Sequence, residues 1–472
     1  MASTLSLPLP TTPAWIRNSL IGGFVFFICW AVAIAYWRST RSAPATTELA
    51  VCLFAIPLAL IGTLWLGARL VLARVAAPAP IQAAVKPAVP APAAPVLASL
   101  AILASALRSP HGASAEELAA AIASGKARAD LDPELIDDDG FPVMAARSHD
   151  AGDEALRTEI AEWLSHNGMA ELQFSDAQWR ALAMASGVAG DLALDAAALA
   201  GAENRVPMLQ LLPILPFDWH IDQRHAVSLW LKHVVERSGW PPACIAMPAA
   251  PLADADKATS SAVFRRLALD AAEKSTPLAA LVIACASHIG QETVDRWAAS
   301  GKLFTSSRPQ GSIPGEGAVG LLVTDMQQAR STGHREVVML EPMQEARHAA
   351  SVDDAKRADP GILEELTKRV MQGHHADFMG VAMIVADTGH RSSRMLELMG
   401  YASVTMPQLD DTGDIVCLGV ACGSCDAVPF ITALALARHY ALERFGSILC
   451  VSNEDARLRH AALVQPAAPA AV

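Results

Sequence analysis

"GSIPGEGAVGLLVTD", Gly311 to Asp325, is the stretch from which the fold of this 472-residue chain is read. Pro314, Gly315, Glu316 and Gly317 have the composition of a tight turn. Proline fixes φ, and glycine accepts backbone angles that a Cβ would strain. The apolar run Ala318–Val323 follows at once and ends at Asp325. A short unbroken apolar run bounded by turn residues describes a strand buried on both faces. Glu316 is the one charge at its start, and its expected role is to brace neighbouring loops by accepting backbone hydrogen bonds.

Working outward, similar runs recur at 97–107 ("LASLAILASAL"), 278–286, 336–342, 380–387 and 446–452. Amphipathic patterns fall between them, at 262–274, 361–373 and 427–446. "SAEELAAAIASGK" adds a helix with Ser114 as N-cap, Glu117 at its third position and Gly125 to stop it. Apolar strands alternating with helices predict an α/β domain over 97–465, as one large unit or two fused halves.

Before it the texture differs. The chain is 52% hydrophobic with a mean hydropathy of +0.30, which directs attention to membrane segments. Asn18–Trp37 and Leu49–Ala68 each run 20 residues without a charge, enough to span a bilayer as a helix. Trp15, Tyr36, Trp37 and Trp65 lie near their ends, where interfacial aromatics are favoured. Residues 1–74 therefore read as a transmembrane hairpin with spans at about 18–37 and 49–68. Arg17, Arg69, Arg74 and Lys86 on its flanks outnumber Arg38 and Arg41 in its loop, placing both ends in the cytoplasm. Residues 75–96, rich in Pro and Ala, form a semi-rigid linker, and 466–472 a disordered tail. A net charge of −12 without Lys/Arg clusters excludes a general nucleic-acid binder. Eight cysteines without disulfide spacing fit a reducing compartment.

Four motifs in order give the domain a family resemblance. "LAILASALRSPHGASAEELAAAIASGK", "IPGEGAVGLLVTD", "IVADTGHRSSRMLEL" and "LGVACGSCDAVPFITALALA" are similar to successive segments of the β-ketoacyl synthases, the thiolase-like condensing enzymes. The resemblance implies a five-layered αβαβα domain of two related halves, about 97–330 and 331–465, and a homodimer paired through a central strand. It also implies a cysteine nucleophile, two histidines and a lysine. Those positions hold Ala258, Asp387, Val420 and Ile415. Ser260 and Ser261 stand beside the first but would need an adjacent base that the sequence does not reveal. The closing glycine-rich loop is replaced near 451–460. With all four groups gone, a pseudoenzyme is expected.

Other positions invite chemistry. Cys422 and Cys425 in "CGSC" fit either small buried residues at a helix start or a redox pair whose thiols the helix dipole would acidify. Asp387, His390, Cys422 and Cys425 are thus the pocket or redox candidates, and Pro314–Gly317 the structural turn. His374 and His375 read as a polar loop, "DLDPELIDDDG" (130–140) as an exposed acidic loop, and His288 as strand-end packing. The segment 217–241, with three tryptophans and three histidines, reads as a helix packed internally. Neither a metal nor a cofactor is expected. The whole describes a scaffold or adaptor anchored in the bacterial inner membrane, its partners being the lipid bilayer and other proteins. In this organisation it looks like accessory proteins of type VI secretion machines. The alternatives are a divergent acyl-transfer or acyl-binding enzyme and a redox-responsive membrane protein.

Overall fold

The computed structural model describes residues 97–197, 207–248, 259–273, 277–332, 336–354, 359–373, 376–411 and 413–467, with isolated positions between 27 and 39. As continuous segments, the two apolar spans and the linker lie outside the described residues, as do 468–472. Among the described residues no helix is long and apolar enough to cross a membrane. The chain divides into Met1–Ala93 and Ala94–Val472, and all elements named below belong to the second unit.

The first half opens with β1 (Leu100–Arg108), α1 (Ala115–Ala123) and a hairpin, β2 (Asp130–Ile136) with β3 (Pro142–Ala145). Helices α2 (Glu154–His166) and α3 (Asp176–Ala197) lead to β4 (Leu209–Ile214), α4 (Ile221–Arg237) and β5 (Ile245–Ala246). It closes with α5 (Ser260–Glu273), β6 (Ala279–Ser287), α6 (Gln291–Ala299) and β7 (Glu316–Asp325). The short α7 (Met326–Ser331) crosses to the second half, where β8 (Val338–Leu340), β9 (Gln344–Arg347) and α8 (Gly361–Gly373) come first. Then follow β10 (Val381–Ala386), α9 (Ser392–Thr405), β11 (Ile415–Cys417) and α10 (Leu418–Cys422). Last come α11 (Val428–Arg444), β12 (Ser447–Ser452) and β13 (Leu458–Pro466).

The two halves repeat one topology. In the first the strand order is β5-β4-β6-β7-β1, in the second β11-β10-β12-β13-β8. Both read third-second-fourth-fifth-first. The first two pairings of each row are parallel and the last two antiparallel. β8 pairs antiparallel with β1 and so joins the halves.

Burial assigns the layers. Every residue of β6 is buried, so the period of two distributes its side chains to opposite faces rather than to core and solvent. Ala279, Leu281 and Ile283 pack with α3 and α4, while Ala280, Val282 and Ala284 pack with α5 and α11. The middle core continues into Met383, Val385, Ile448 and Cys450 of the second half. On the far side Ile384, Ala386, Leu449 and Val451 pack with α8 and α9. The sequence of layers is helix, sheet, helix, sheet, helix. α5 and α11 lie at the centre, which explains why α11 carries apolar residues on all sides.

Local chemistry agrees with the expected starts and stops. Ser114 Oγ accepts from the Glu117 amide at 3.1 Å, Glu117 returns to the Ala113 amide at 2.8 Å, and Gly125 leaves the helix at φ +68°. The tryptophan-rich segment packs inward: Trp219, Trp230 and Trp240 are buried, and Trp230 Nε1 donates to Ser186 Oγ of α3 at 2.7 Å. The acidic stretch 130–140 differs from expectation. It supplies strand β2, and Asp132 turns inward to accept from Arg147 Nε at 2.6 Å and Nη2 at 3.0 Å. An irregularity between Leu131 and Ile136, around Pro133, interrupts the alternation that would have announced a strand.

The stretch 314–317 also needs correction, since it is not a turn. Pro314 and Gly315 run extended, bridging Ser424 and Ala146, and Glu316 already opens β7. Neither Gly315 nor Gly317 has a positive φ. Space is what excludes a side chain: a Cβ on Gly315 would lie 2.0 Å from the carbonyl oxygen of Cys422. The expected bracing by Glu316 is present. Fully buried, its carboxylate accepts from the Ser148 amide at 2.7 Å, Arg180 Nη2 at 2.5 Å and Nε at 2.8 Å, and Ser287 Oγ at 2.9 Å. Removing one partner of such a pair leaves a bare buried charge. Glu316→Ala is therefore expected to lower stability by about 3–5 kcal/mol in urea unfolding. Glu316→Leu combined with Arg180→Leu should recover much of that loss, and an unchanged midpoint in Glu316→Ala would refute the bracing role.

Candidate functional site

α5 starts at Ser260 and α11 at Val428, and both starts reach one cavity of about 650 Å³. Thr259 and Ser260 line it from the first, Cys425, Asp426 and Ala427 from the second. The remaining wall comes from loops that follow β4, β6, β10 and β12. These lie at the carboxyl ends of strands paired in parallel, the usual place for a site in an α/β sheet. Leu215, Phe217, Ile313 and Phe430 contribute apolar lining, and Asp387, His390, Arg391 and Glu454 contribute polar lining.

Asp387, at the position of the first family histidine, ends β10 and is buried. Its Oδ2 accepts from Ser452 Oγ at 2.5 Å, and its Oδ1 from the amides of Asn453 and Glu454 at 2.8 and 3.2 Å. Burial pushes its pKa up to about 6. The Ser452 hydroxyl pulls against this, and the nearby Glu454 charge adds to the rise. An ionised carboxylate only accepts hydrogen bonds.

Of the other three positions that the resemblance singles out, Ile415 and Val420 are not part of the cavity wall. Ile415 sits in the β10–β11 pairing opposite Ile384, with 7% of its surface exposed. Val420 is half-buried on α10 and is not part of the wall. Its neighbour Gly419 is, because a Cβ there would lie 2.5 Å from the carbonyl oxygen of Asp387, so the two loops meet backbone to backbone. Ala258 lies outside the described residues, as do His374 and His375.

The base that the sequence hid beside Ser261 is visible. Ser261 Oγ donates to Glu345 Oε2 of β9 at 2.5 Å, and His460 Nε2 of β13 lies 3.4 Å from the same oxygen. The His460 contact, with Ser261 assisting against partial burial, holds Glu345 down to about 2. This array ties the first turn of α5 to β9 and β13.

Cys422 ends α10, and both it and Cys425 are buried. Burial pushes the Cys422 thiol up to about 12 and Cys425 well above the usual thiol range. The acidification expected from a helix dipole is overridden by desolvation. His390 packs edge-on to Phe304, with ring centroids 4.9 Å apart, and burial lowers its pKa. No three His, Cys, Asp or Glu residues among those described are grouped to hold a metal ion. Sequence reasoning passed over Thr259, Lys302, Arg391, Asp426 and Glu454, which sit on loops without motif spacing, and His460 of β13. It also passed over the contact of His288 with Asp426, 3.3 Å across.

No family model matches the chain, and no curated protein matches it. Solved structures do. The ketosynthase from module 6 of the bacillaene synthase of Bacillus subtilis 168 is 12% identical, with a TM-score of 0.55, covering 79% of this chain and 73% of that one. A ketosynthase domain of oxazolomycin synthesis from Streptomyces albus JA3453 is also 12% identical at a TM-score of 0.55, covering 79% and 76%. A β-ketoacyl synthase from Burkholderia phymatum STM815 is 11% identical at 0.55, covering 79% and 100%. The domain has the mixed α/β ketosynthase, or thiolase-like, fold.

Asp387 has a readable pH signature. Its folded pKa of about 6 lies above the ordinary 3.8, so its contribution to stability is complete below about pH 4 and lost as pH rises through about 6. Between pH 4 and 8, urea unfolding should show the wild type losing about 2 kcal/mol more than Asp387→Asn. Parallel losses in the two proteins would rule out a raised pKa.

Proposed function

We propose that this chain is a membrane-tethered scaffold or adaptor whose large domain keeps the ketosynthase fold without the condensing chemistry. The observation that carries the reading is Asp387. Where the resemblance calls for a hydrogen-bond donor, the chain places a carboxylate already engaged by Ser452 and two backbone amides. Ile415 and Val420 add no polar group at two further positions. The cysteines that line the cavity, Cys285 and Cys425, are buried and their thiol pKa values are raised, which disfavours both a thiolate nucleophile and a redox pair.

The two apolar spans and the Pro/Ala-rich linker would hold this domain at the cytoplasmic face of a bacterial inner membrane, paired as a homodimer. Its place there would be that of an accessory protein in a membrane assembly, with type VI secretion as the specific proposal. An acyl-binding role has one observation in its favour, the apolar wall formed by Leu215, Phe217, Ile313 and Phe430.

Full-length protein incubated with acyl and malonyl thioesters should show no covalent acyl adduct by intact mass and no decarboxylation above buffer. A stoichiometric adduct abolished by Cys422→Ala with Cys425→Ala, or by Ser261→Ala, would sink the scaffold-only reading. Cross-linking in intact membranes followed by mass spectrometry should recover membrane-assembly proteins. Recovery of lipid-synthesis enzymes alone would overturn the secretion role.

A further inference from the structure

The internal duplication makes Asp426 conspicuous. It stands two residues ahead of α11, close to where Thr259 stands one residue ahead of α5, and it is a non-glycine residue at φ +50°. For an L-residue, left-handed backbone costs free energy and persists where surroundings impose it, often at functional sites. Its side chain, 46% exposed, lies at the cavity wall with Oδ2 3.3 Å from Nε2 of His288.

His288 is held from several directions. Its amide donates to the Gly315 carbonyl at 2.9 Å, which fixes it to the strand-opening glycine. Its ring packs on Trp297 with centroids 4.9 Å apart and is 12% exposed. Lys302 Nζ lies over the Trp297 ring at 4.4 Å and also borders the cavity. Desolvation opposes the charge of Asp426, yet the His288 contact and the Lys302 field hold it below the usual carboxylate range. Trp297 belongs to a small buried apolar cluster with Ile289, Val294 and Leu303, and His288 and Lys302 pack on its ring and line the cavity.

We propose that His288 and Asp426 form a general-base pair that activates water against an apolar acyl ester or thioester bound in the cavity. Asp426 is the positioning residue: accepting from Nε2–H, it selects the tautomer that leaves a lone pair on Nδ1. The apolar wall at Leu215, Phe217 and Phe430 takes the acyl chain. In the reaction the water oxygen bonds to the acyl carbon while His288 takes its proton. The carbon–oxygen or carbon–sulfur bond to the leaving group then breaks, and that proton passes to the departing alkoxide or thiolate. Carboxylic acid and alcohol or thiol are the products, with no change of oxidation state. The ammonium of Lys302 is the nearby cation for the developing oxyanion.

This activity goes beyond the scaffold reading, which concerns condensation and tethering and survives if hydrolysis is absent. The test uses full-length protein in detergent with butyryl and octanoyl p-nitrophenyl esters and the matching coenzyme A thioesters. Saturable hydrolysis above buffer is expected with at least one substrate class. His288→Gln should reduce kcat/KM by about 100-fold or more, as loss of a general base does. Asp426→Asn should keep part of the activity and shift the acid limb of its pH–rate profile to lower pH, because imidazole loses a stabilising negative charge. Thermal melts monitor folding, and Asp426→Asn keeps the test open if His288→Gln does not fold. No turnover by the wild type, full activity in His288→Gln, or a pH profile unmoved in Asp426→Asn overturns the proposal. Hydrolysis of one substrate class alone identifies the leaving group.

Discussion

Glu316 is a carboxylate with no solvent exposure, and the arrangement around the cavity depends on its being satisfied. Its oxygens receive four hydrogen bonds from three groups: the amide of Ser148, the guanidinium of Arg180 on α3 twice, and the hydroxyl of Ser287 at the end of β6. Arg180 also donates to the Ser148 carbonyl at 2.6 Å. A buried pair of this kind is a poor source of net stability, because desolvation offsets most of the attraction. What it supplies is position, since each donor must arrive in a fixed direction. Next to it, the Gly315 carbonyl receives the His288 amide, and the Gly315 amide donates to the Ser424 carbonyl at 3.2 Å. One short stretch thereby sets where the loop after β6 and the loop before α11 meet.

The duplication explains why they meet at a cavity. Each half sends one helix into the shared central layer, α5 from the first and α11 from the second. Helices entering a layer between two sheets bury their lengths, but their first turns must face backbone loops rather than apolar side chains. At those starts N–H groups lack intrahelical partners, and polar residues gather to satisfy them. Thr259 illustrates the point, its hydroxyl accepting from the Ala262 amide at 3.3 Å and pairing with Ser261 Oγ at 3.1 Å. The polar cavity is thus a consequence of topology, whatever chemistry it hosts.

Much of this fold is legible in the sequence because its strands are buried on both faces. Unbroken runs such as 278–286 and 318–323 have no competing explanation at that length, and 361–373 coincides with α8. Strand β13 is harder to find, since Arg459 and His460 lie within it. Arg459 is fully buried against Glu397, with Nε 2.8 Å from Oε1. A charge paired inside a strand looks, in one dimension, like a loop. β2 hides in the same way, through Asp132 and Arg147. At the site, the positions that the resemblance compares can be counted from motifs, but the contacts of Asp426 with His288 and of Glu345 with Ser261 and His460 join residues far apart in the chain. No spacing rule announces them.

Two acidic residues of the cavity lining, Asp387 and Glu454, are satisfied by their immediate surroundings. Asp387 accepts from Ser452 and from two backbone amides. Glu454 is paired with Arg391 at 2.8 Å and receives the Gly389 amide at 2.9 Å. His288 and Lys302 line the same cavity, and His288 contacts Asp426 at 3.3 Å, so acidic and basic side chains stand together beside its apolar residues.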